Sequence, residues 1–322
     1  MGWHPRARSD TPAMLPAAAA AAESVLPANP SDAPAVAGRA ARILGLEDVT
    51  VARVGMCVAL FATSAGRPVF VRVHQSGVDT RAASRAATRA RAAGVRAPEL
   101  LGGPFDLAGQ QAWLWERLDP VVAALDHAVM GSQVALLHSA VVAEDLENRD
   151  VVTHRLRVLD TRLRAYRAAG RVDASTDAVL RAAAGAAQEK AAGRAWGAVA
   201  ACHGDLKPSN VVPTAGGPYL VDWDSAFLGD TTWDVACWAL AASACAPNVE
   251  AGRDAAREFL TAYESAAGSC PAADVIAAFA ELKALSVLTF LLGRDDRASQ
   301  LEAATRLRHW THGCPASGWT DL

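Results

Sequence analysis

Asp205 and Asn210 stand five residues apart, and Asp222 follows twelve residues later. A carboxylate within reach of a hydroxyl can orient it and accept its proton as it attacks phosphorus. An amide oxygen and a second carboxylate are the hard ligands that Mg²⁺ takes, one or two from protein and the rest from phosphate and water. Asp205 is therefore the candidate base, and Asn210 with Asp222 the candidate metal pair, of a phosphoryl transfer. Taken alone, Asp205-Leu206-Lys207-Pro208-Ser209-Asn210 also reads as an Asp in a polar turn; His203 before it and Asp222 behind it narrow that reading. His203 is expected to pack and bond backbone, a structural role. Lys207 is either a phosphate contact or an exposed loop cation.

Two kinds of element must position these groups. The spacing predicts a helix over Pro34 to Leu44, with Pro34 in its first turn and Gly45 as its stop. Strands follow at Thr50 to Val54, Cys57 to Thr63 and, after the turn Ala65-Gly66-Arg67-Pro68, Val69 to His74. A helix over Thr80 to Ala93 ends at Gly94, and a strand pair, Leu100 to Gly102 and Gln111 to Leu118, flanks a turn-rich Gly103 to Gly109. Beyond Asp119 the pattern turns helical, at Asp126 to Val142, Thr153 to Ala169, Ala174 to Ala192, Asp230 to Ala244, Val249 to Ala267, Pro271 to Leu292 and Ser299 to His309. The exception is Val199 to Phe227, where Val211-Val212 and Tyr219-Leu220-Val221 form a short hairpin with the candidate residues on its loops. The fold class expected is α+β: a disordered leader 1–31, an antiparallel-sheet lobe 32–118 and a helical lobe 119–322.

The run His203-Gly204-Asp205-Leu206-Lys207-Pro208-Ser209-Asn210 matches H-x-D-L-x-x-x-N of kinase catalytic loops, and Val221-Asp222-Trp223-Asp224 stands where kinases carry D-F-G. With Gly204 in place of the Arg of protein kinases, the pair resembles the aminoglycoside phosphotransferase and choline-kinase-like superfamily of small-molecule kinases. The likeness extends to Gly229 to Ala236, Trp115-Glu116-Arg117-Leu118 and Leu136-Leu137-His138. It implies a two-lobed, protein-kinase-like fold and an ATP (or GTP) and Mg²⁺-dependent O-phosphotransferase. Adenine would lie against Glu116 to Leu118, phosphates near Gly55 and Arg72, and Asp234 would brace the catalytic loop. The short span from Asp222 to Asp234, without an A-P-E element, argues against a protein kinase, because a polypeptide substrate needs a longer platform. The acceptor is then a small molecule, an antibiotic or a metabolite.

The sheet lobe departs from the family pattern. Only Gly55 stands where a glycine-rich loop is expected, Arg72 fills the usual Lys position, and Thr80 to Ala93 carries no acid to orient it. Arg72 must find another partner, Asp79 or a phosphate, or else be an edge-strand cation. A nucleotide-binding or scaffold protein of reduced activity is the alternative those departures suggest.

Composition excludes less than the motifs assert. A net charge of −3 and no Lys/Arg block give no sign of nucleic-acid or polybasic membrane binding. No stretch is read as reaching the roughly 18–20 apolar residues of a membrane span; Val235 to Ala246 is the longest candidate. The Ala17 to Ala22 run superficially resembles a signal peptide, but Pro16 interrupts it and an ATP-using enzyme belongs in the cytoplasm, so a mobile leader or an early start codon, with Met14 available, is expected. The six cysteines lack metal-site spacing and are read as buried thiols. The tryptophans, Trp196, Trp223, Trp238, Trp310 and Trp319 among them, are read as packing. Asp224, Asp230, Glu264, Asp295 and Asp296 either line a pocket for a cationic acceptor or, for the last two, form a solvated turn.

Overall fold

A computed structural model describes residues 30–55, 57–75, 80–140, 146–192 and 197–313. The expected leader lies almost wholly outside these residues, as do Asp79, Trp196, Cys314 and Trp319. Helix α1 (Ala33–Leu44) stops at Gly45, whose left-handed φ of 62° lets its N–H reach the Ala41 carbonyl. Strands β1 (Glu47–Val54), β2 (Cys57–Ser64) and β3 (Arg67–His74) form the expected antiparallel meander. Helix α2 (Arg81–Ala92) precedes β4 (Leu100–Asp106) and β5 (Gln111–Glu116), and the five strands pair in the order β1-β2-β3-β5-β4. The expected turn at Gly103 to Gly109 is shorter than read. Strand β4 runs on through the cis Gly103–Pro104 bond to Asp106, with register shifts against β5.

The alternation of β3 and β5 decides what each sheet face does. Val69, Val71, Val73, Ala112 and Leu114 point one way and build a core with Val36 and Ala40 of α1. Phe70 pairs with Trp115 and Arg72 with Trp113 on the opposite face. There Trp113 and Trp115 join Ala86, Ala87 and Ala90 of α2 in the core of the helical half. A one-residue slip would exchange the faces and bury Arg72 under α1.

The helical half comprises α3 (His127–Ala140), α4 (Val151–Ala168), α5 (Ala174–Ala191), α6 (Thr232–Cys245), α7 (Val249–Ala267), α8 (Ala273–Leu292) and α9 (Arg297–His312). Two short antiparallel pairs interrupt it: β6 (Val199–Cys202) with β9 (Phe227–Asp230), and β7 (Val211–Thr214) with β8 (Gly217–Leu220). The hairpin was expected; the β6–β9 pair was not, because each strand is only four residues long and too brief for its alternation to register.

Two further readings are corrected. Helix α8, rather than Val235 to Ala246, is the most apolar long segment, with a mean hydropathy of 2.0 that meets the length and composition of a membrane span. Over half of that window is buried inside the protein, and Glu281 and Lys283 sit at its middle. Of the cysteines, Cys57, Cys202 and Cys237 are buried as expected, but Cys245 is exposed and Cys270 partly so; none of these five is in a disulfide. The tryptophan reading holds at Trp223 and Trp238, both in the core, and at half-buried Trp310, whose indole N–H bonds Glu281.

Candidate active site

The loop between β6 and β7 carries His203, Asp205 and Asn210, and it is held from below by α6. Asp234, fully buried in the first turn of α6, accepts from the amides of His203 (2.6 Å) and Gly204 (2.8 Å). Its neighbour Trp233, also fully buried, donates its indole N–H to the Gly204 carbonyl at 2.9 Å. Burial pushes the Asp234 carboxyl up, but His138 and the loop amides outweigh it and hold it below the ordinary range. His138 in turn lies 3.4 Å from Asp234 and 2.9 Å from the Tyr263 hydroxyl. His138, Cys202 and Asp234 have metal-ligand chemistry, yet both oxygens of Asp234 are taken by loop amides. The Cys202 thiol is pushed well up by burial, away from the thiolate a metal needs. The cluster is hydrogen-bonded to the loop at His203 and Gly204.

Gly204 has a left-handed φ of 83°, and any Cβ there would collide with the Ser225 carbonyl. The glycine of His203-Gly204-Asp205 therefore allows the loop to press against the turn that follows Asp222. His203 is fully buried. Its Nε2 donates to the Val221 carbonyl at 3.0 Å, and its Nδ1 lies 3.4 Å from the Asp205 amide. Its ring packs 4.9 Å from that of Trp223. Asn210 and Asp222 are joined through backbone, since the Val221 N–H donates to the Asn210 carbonyl at 2.9 Å. Asp222 adopts a left-handed φ of 66°, a conformation that Asp tolerates better than most residues.

Asp205 is ringed by donors. The Asn210 amide nitrogen donates to its backbone oxygen (2.8 Å) and to Oδ2 (3.1 Å). Lys283 of α8 donates to Oδ1 at 2.5 Å, and Lys207 lies 3.5 Å from Oδ2. Burial pushes the Asp205 carboxyl up, but Lys283 and Lys207 overwhelm that effect and hold it far below the usual carboxylate range. Burial likewise pushes the Lys283 ammonium down, and the Asp205 charge reverses this and raises it. The pair is ionised at neutral pH. Lys283 is not among the residues singled out from the sequence; its one signal there is a single cation, two residues from Glu281, in the middle of a largely apolar helix.

Arg72 crosses from the sheet to the same place. One guanidinium nitrogen donates to Asp222 Oδ1 at 2.9 Å and to Asp224 Oδ2 at 2.8 Å. Burial pushes this guanidinium's pKa down, and Asp224 and then Asp222 raise it well above its ordinary value. Burial pushes the Asp222 carboxyl up, and Arg72 brings it down against the opposing charge of Asp205. Asp224, expected to line an acceptor pocket, instead stands with Asp222 in place of the missing helix acid. Asp79 lies outside the described residues. The reading of Arg72 as a bare edge-strand cation fails, since β3 is a central strand and its Arg is paired.

The remaining expected nucleotide contacts are less built. Gly55 ends the described part of the β1–β2 turn, its N–H donating to the Cys57 carbonyl, and among the described residues a Cβ there would come near Arg53, at 4.0 Å. Glu116 ends β5 with its carboxylate accepting from the Glu99 amide at 3.0 Å, and Leu118 is half-buried on the strand's exit. Three residues on, the Val121 N–H reaches the Pro213 carbonyl of the β7–β8 hairpin at 2.9 Å. From Asp222 the chain passes through a single 3₁₀ turn (Trp223–Ser225) and β9 directly into α6, with no activation segment between.

Asn210 and Asp222 offer an amide oxygen and a carboxylate, a donor set that suits Mg²⁺. A cationic guanidinium already lies against that carboxylate, which marks it as a position where positive charge is favoured.

No curated protein matches the chain by sequence. Among solved structures the fold is shared with the apo form of a thermostable mutant of aminoglycoside phosphotransferase APH(4)-Ia. That match has 17% identity and a TM-score of 0.63, covering 86% of this chain and 98% of that one. Amicoumacin kinase hAmiN, in complex with AMP-PNP, Ca²⁺ and Ami, is 14% identical with a TM-score of 0.66, over 89% of this chain and 95% of that one. Choline kinase LicA from Streptococcus pneumoniae is 16% identical with a TM-score of 0.64, over 87% and 97%. Residues 58–285, well over half of the chain and including every group placed around Asp205, match the model of the phosphotransferase enzyme family, and the chain belongs to that family.

Proposed function

We propose that this small-molecule phosphotransferase moves the γ-phosphate of ATP to a hydroxyl of a small metabolite or antibiotic. The observation that carries the reading is the convergence of Asp205, Asn210 and Asp222 on one braced loop and hairpin. The acceptor oxygen forms a bond to the γ-phosphorus as the bond to the β-bridging oxygen breaks and ADP leaves with the electron pair; the hydroxyl proton passes to Asp205 and then to water. Because Lys283 and Lys207 keep Asp205 ionised, its contribution is to orient the hydroxyl and take the proton late, which suits a loose transition state. Asn210 and Asp222 would hold Mg²⁺, which when bound neutralises charge on the phosphates. Arg72 is placed to exchange Asp222 for a phosphate oxygen. The hydroxyl-acceptor chemistry and use of cytoplasmic ATP belong to this proposal. Asp205→Ala should lower kcat by about a thousandfold while retaining the thermal shift with Mg·ATP; full turnover by that variant would end the mechanism.

A second reading has its own support. The engagement of Arg72 with both Asp222 and Asp224, and the open surroundings of Gly55, suit a nucleotide-binding scaffold with little turnover. A thermal shift with Mg·ATP but no ADP release over a broad acceptor panel would favour it.

A further inference from the structure

The other acids expected to line an acceptor pocket stand apart from Asp205. Asp230 is buried and accepts from the amides of Gly197 (3.1 Å) and Thr232 (2.7 Å). Asp295 pairs with Arg171, Asp296 caps α9, and Glu264 is exposed on α7. Among the described residues, the side chains printed against the Asp205 carboxylate are those of Asn210, Lys207 and Lys283. Asn210 and Lys207 share its loop. Lys283 comes from α8, 78 residues further along.

That lysine is fixed at both ends. Leu282, Ala284 and Leu285 beside it on α8 are buried, so its backbone sits in a close-packed core. Its ammonium lies 5.8 Å from the centroid of Trp233, within cation–π range. The same indole donates to the Gly204 carbonyl at 2.9 Å, so one ring anchors both the lysine and the catalytic loop.

The two nearest donors divide the carboxylate between them. Lys283 donates to Oδ1 at 2.5 Å and the Asn210 amide to Oδ2 at 3.1 Å. The terminal torsion of an Asp side chain is broad and turns freely when one oxygen is held. Donors on both oxygens, one from the loop and one from a packed helix, fix that torsion. A carboxylate has about four lone-pair sites, so two hydrogen bonds leave room for an acceptor hydroxyl. Exposure separates the roles. The Asp205 side chain is 27% exposed and can meet a substrate, whereas Lys283 is 13% exposed and its charged end is already engaged.

We infer that Lys283 is a positioning residue of the transfer reaction: it acts through Asp205, clamping the carboxylate between α8 and the catalytic loop so that its open side meets the acceptor hydroxyl. The inference rests on the phosphotransferase reading above and adds a residue to its machinery.

The test uses the full chain with Mg·ATP and follows ADP release, with water and glycerol as acceptor hydroxyls. Lys283→Met should lower kcat about a hundredfold and leave the KM for ATP within about twofold of wild type. Lys283→Arg should keep more of the rate than Lys283→Met, and Lys283→Gln takes the place of Lys283→Met if circular dichroism shows that variant unfolded. In an Asp205→Ala background, Lys283→Met should cost less than about twofold more, because a residue acting through Asp205 has nothing left to position. Crystals supply an arm that needs no acceptor: Asp205 should hold one carboxylate orientation in the wild type and a different one, or several, in Lys283→Met. Wild-type kcat in Lys283→Met, a raised KM at unchanged kcat, independent losses in the double variant, an unchanged Asp205 orientation, or a loss of rate matched by loss of folded protein would each overturn the inference. A wild type with no thermal shift in Mg·ATP would instead overturn the phosphotransferase reading, and the inference with it.

Discussion

The two sides of the candidate site are held by different forces. On the helical side the loop is fixed by buried hydrogen bonds from Asp234 and Trp233 and by a glycine that admits no side chain. On the sheet side Arg72 is held by charge, through Asp222 and Asp224 across the cleft, with no acid supplied by α2. The first arrangement needs no ligand to persist. The second uses a carboxylate that the proposed metal would also claim, so the proposed binding of Mg·ATP would redistribute the ion pairs of Arg72. A rigid frame facing an adjustable cation fits a loop that orients the acceptor and an arm that follows the phosphates.

Breaking the frame should have the larger effect. Asp234→Ala leaves two buried loop amides without their acceptor, at about 1–3 kcal/mol each, so a loss of about 4 kcal/mol and roughly 8 °C in Tm is expected, with turnover falling alongside. Its pH dependence is also set. The folded Asp234 carboxyl lies below its ordinary value, so its stabilisation is complete above the unfolded carboxylate range and drains as pH falls through the folded value. The gap in Tm between wild type and variant should therefore narrow in acid. Cutting the ionic arm should act on nucleotide instead. Arg72→Met is expected to raise the KM for ATP by about tenfold to a hundredfold with little loss of Tm, and Arg72→Lys to recover part of it. A large fall in Tm for Arg72→Met would show that the sheet side, too, is structural. The smallest effect is expected far from both sides, at the cap of α9. Asp296 accepts from the Ser299 amide and pairs with Arg294, which hold its carboxyl down to about 2. Asp296→Ala should lower Tm slightly at neutral pH, and the difference should shrink as pH falls below the ordinary carboxylate range and through about 2.

How much could be read in advance follows the same division. The proposed base and metal ligands lie on one short stretch, so Asp205, Asn210 and Asp222 could be nominated from their types and spacing, and Asp234 from the family resemblance. The helices were legible because apolar periodicity survives over many turns. The β6–β9 pair escaped notice because four-residue strands carry almost no periodic signal. The partners of Arg72 in the described residues carry no local signal, because Asp222 and Asp224 stand 150 and 152 residues away in sequence. Lys283 was passed over for the same reason: it meets Asp205 only when α8, 78 residues further on, packs beneath the loop.

By itself, then, the sequence determined the alternating sheet, the helical run and the identity of the proposed base and metal ligands. These depend on contacts between near neighbours and on side-chain periods that the chain displays directly. Tertiary structure alone decided which charges neutralise one another: Arg72 with Asp222 and Asp224, and Lys283 with Asp205. Ion pairs carry no sequence period and reach across any separation, so only the packed fold could reveal that a lysine from α8 pairs with the proposed base.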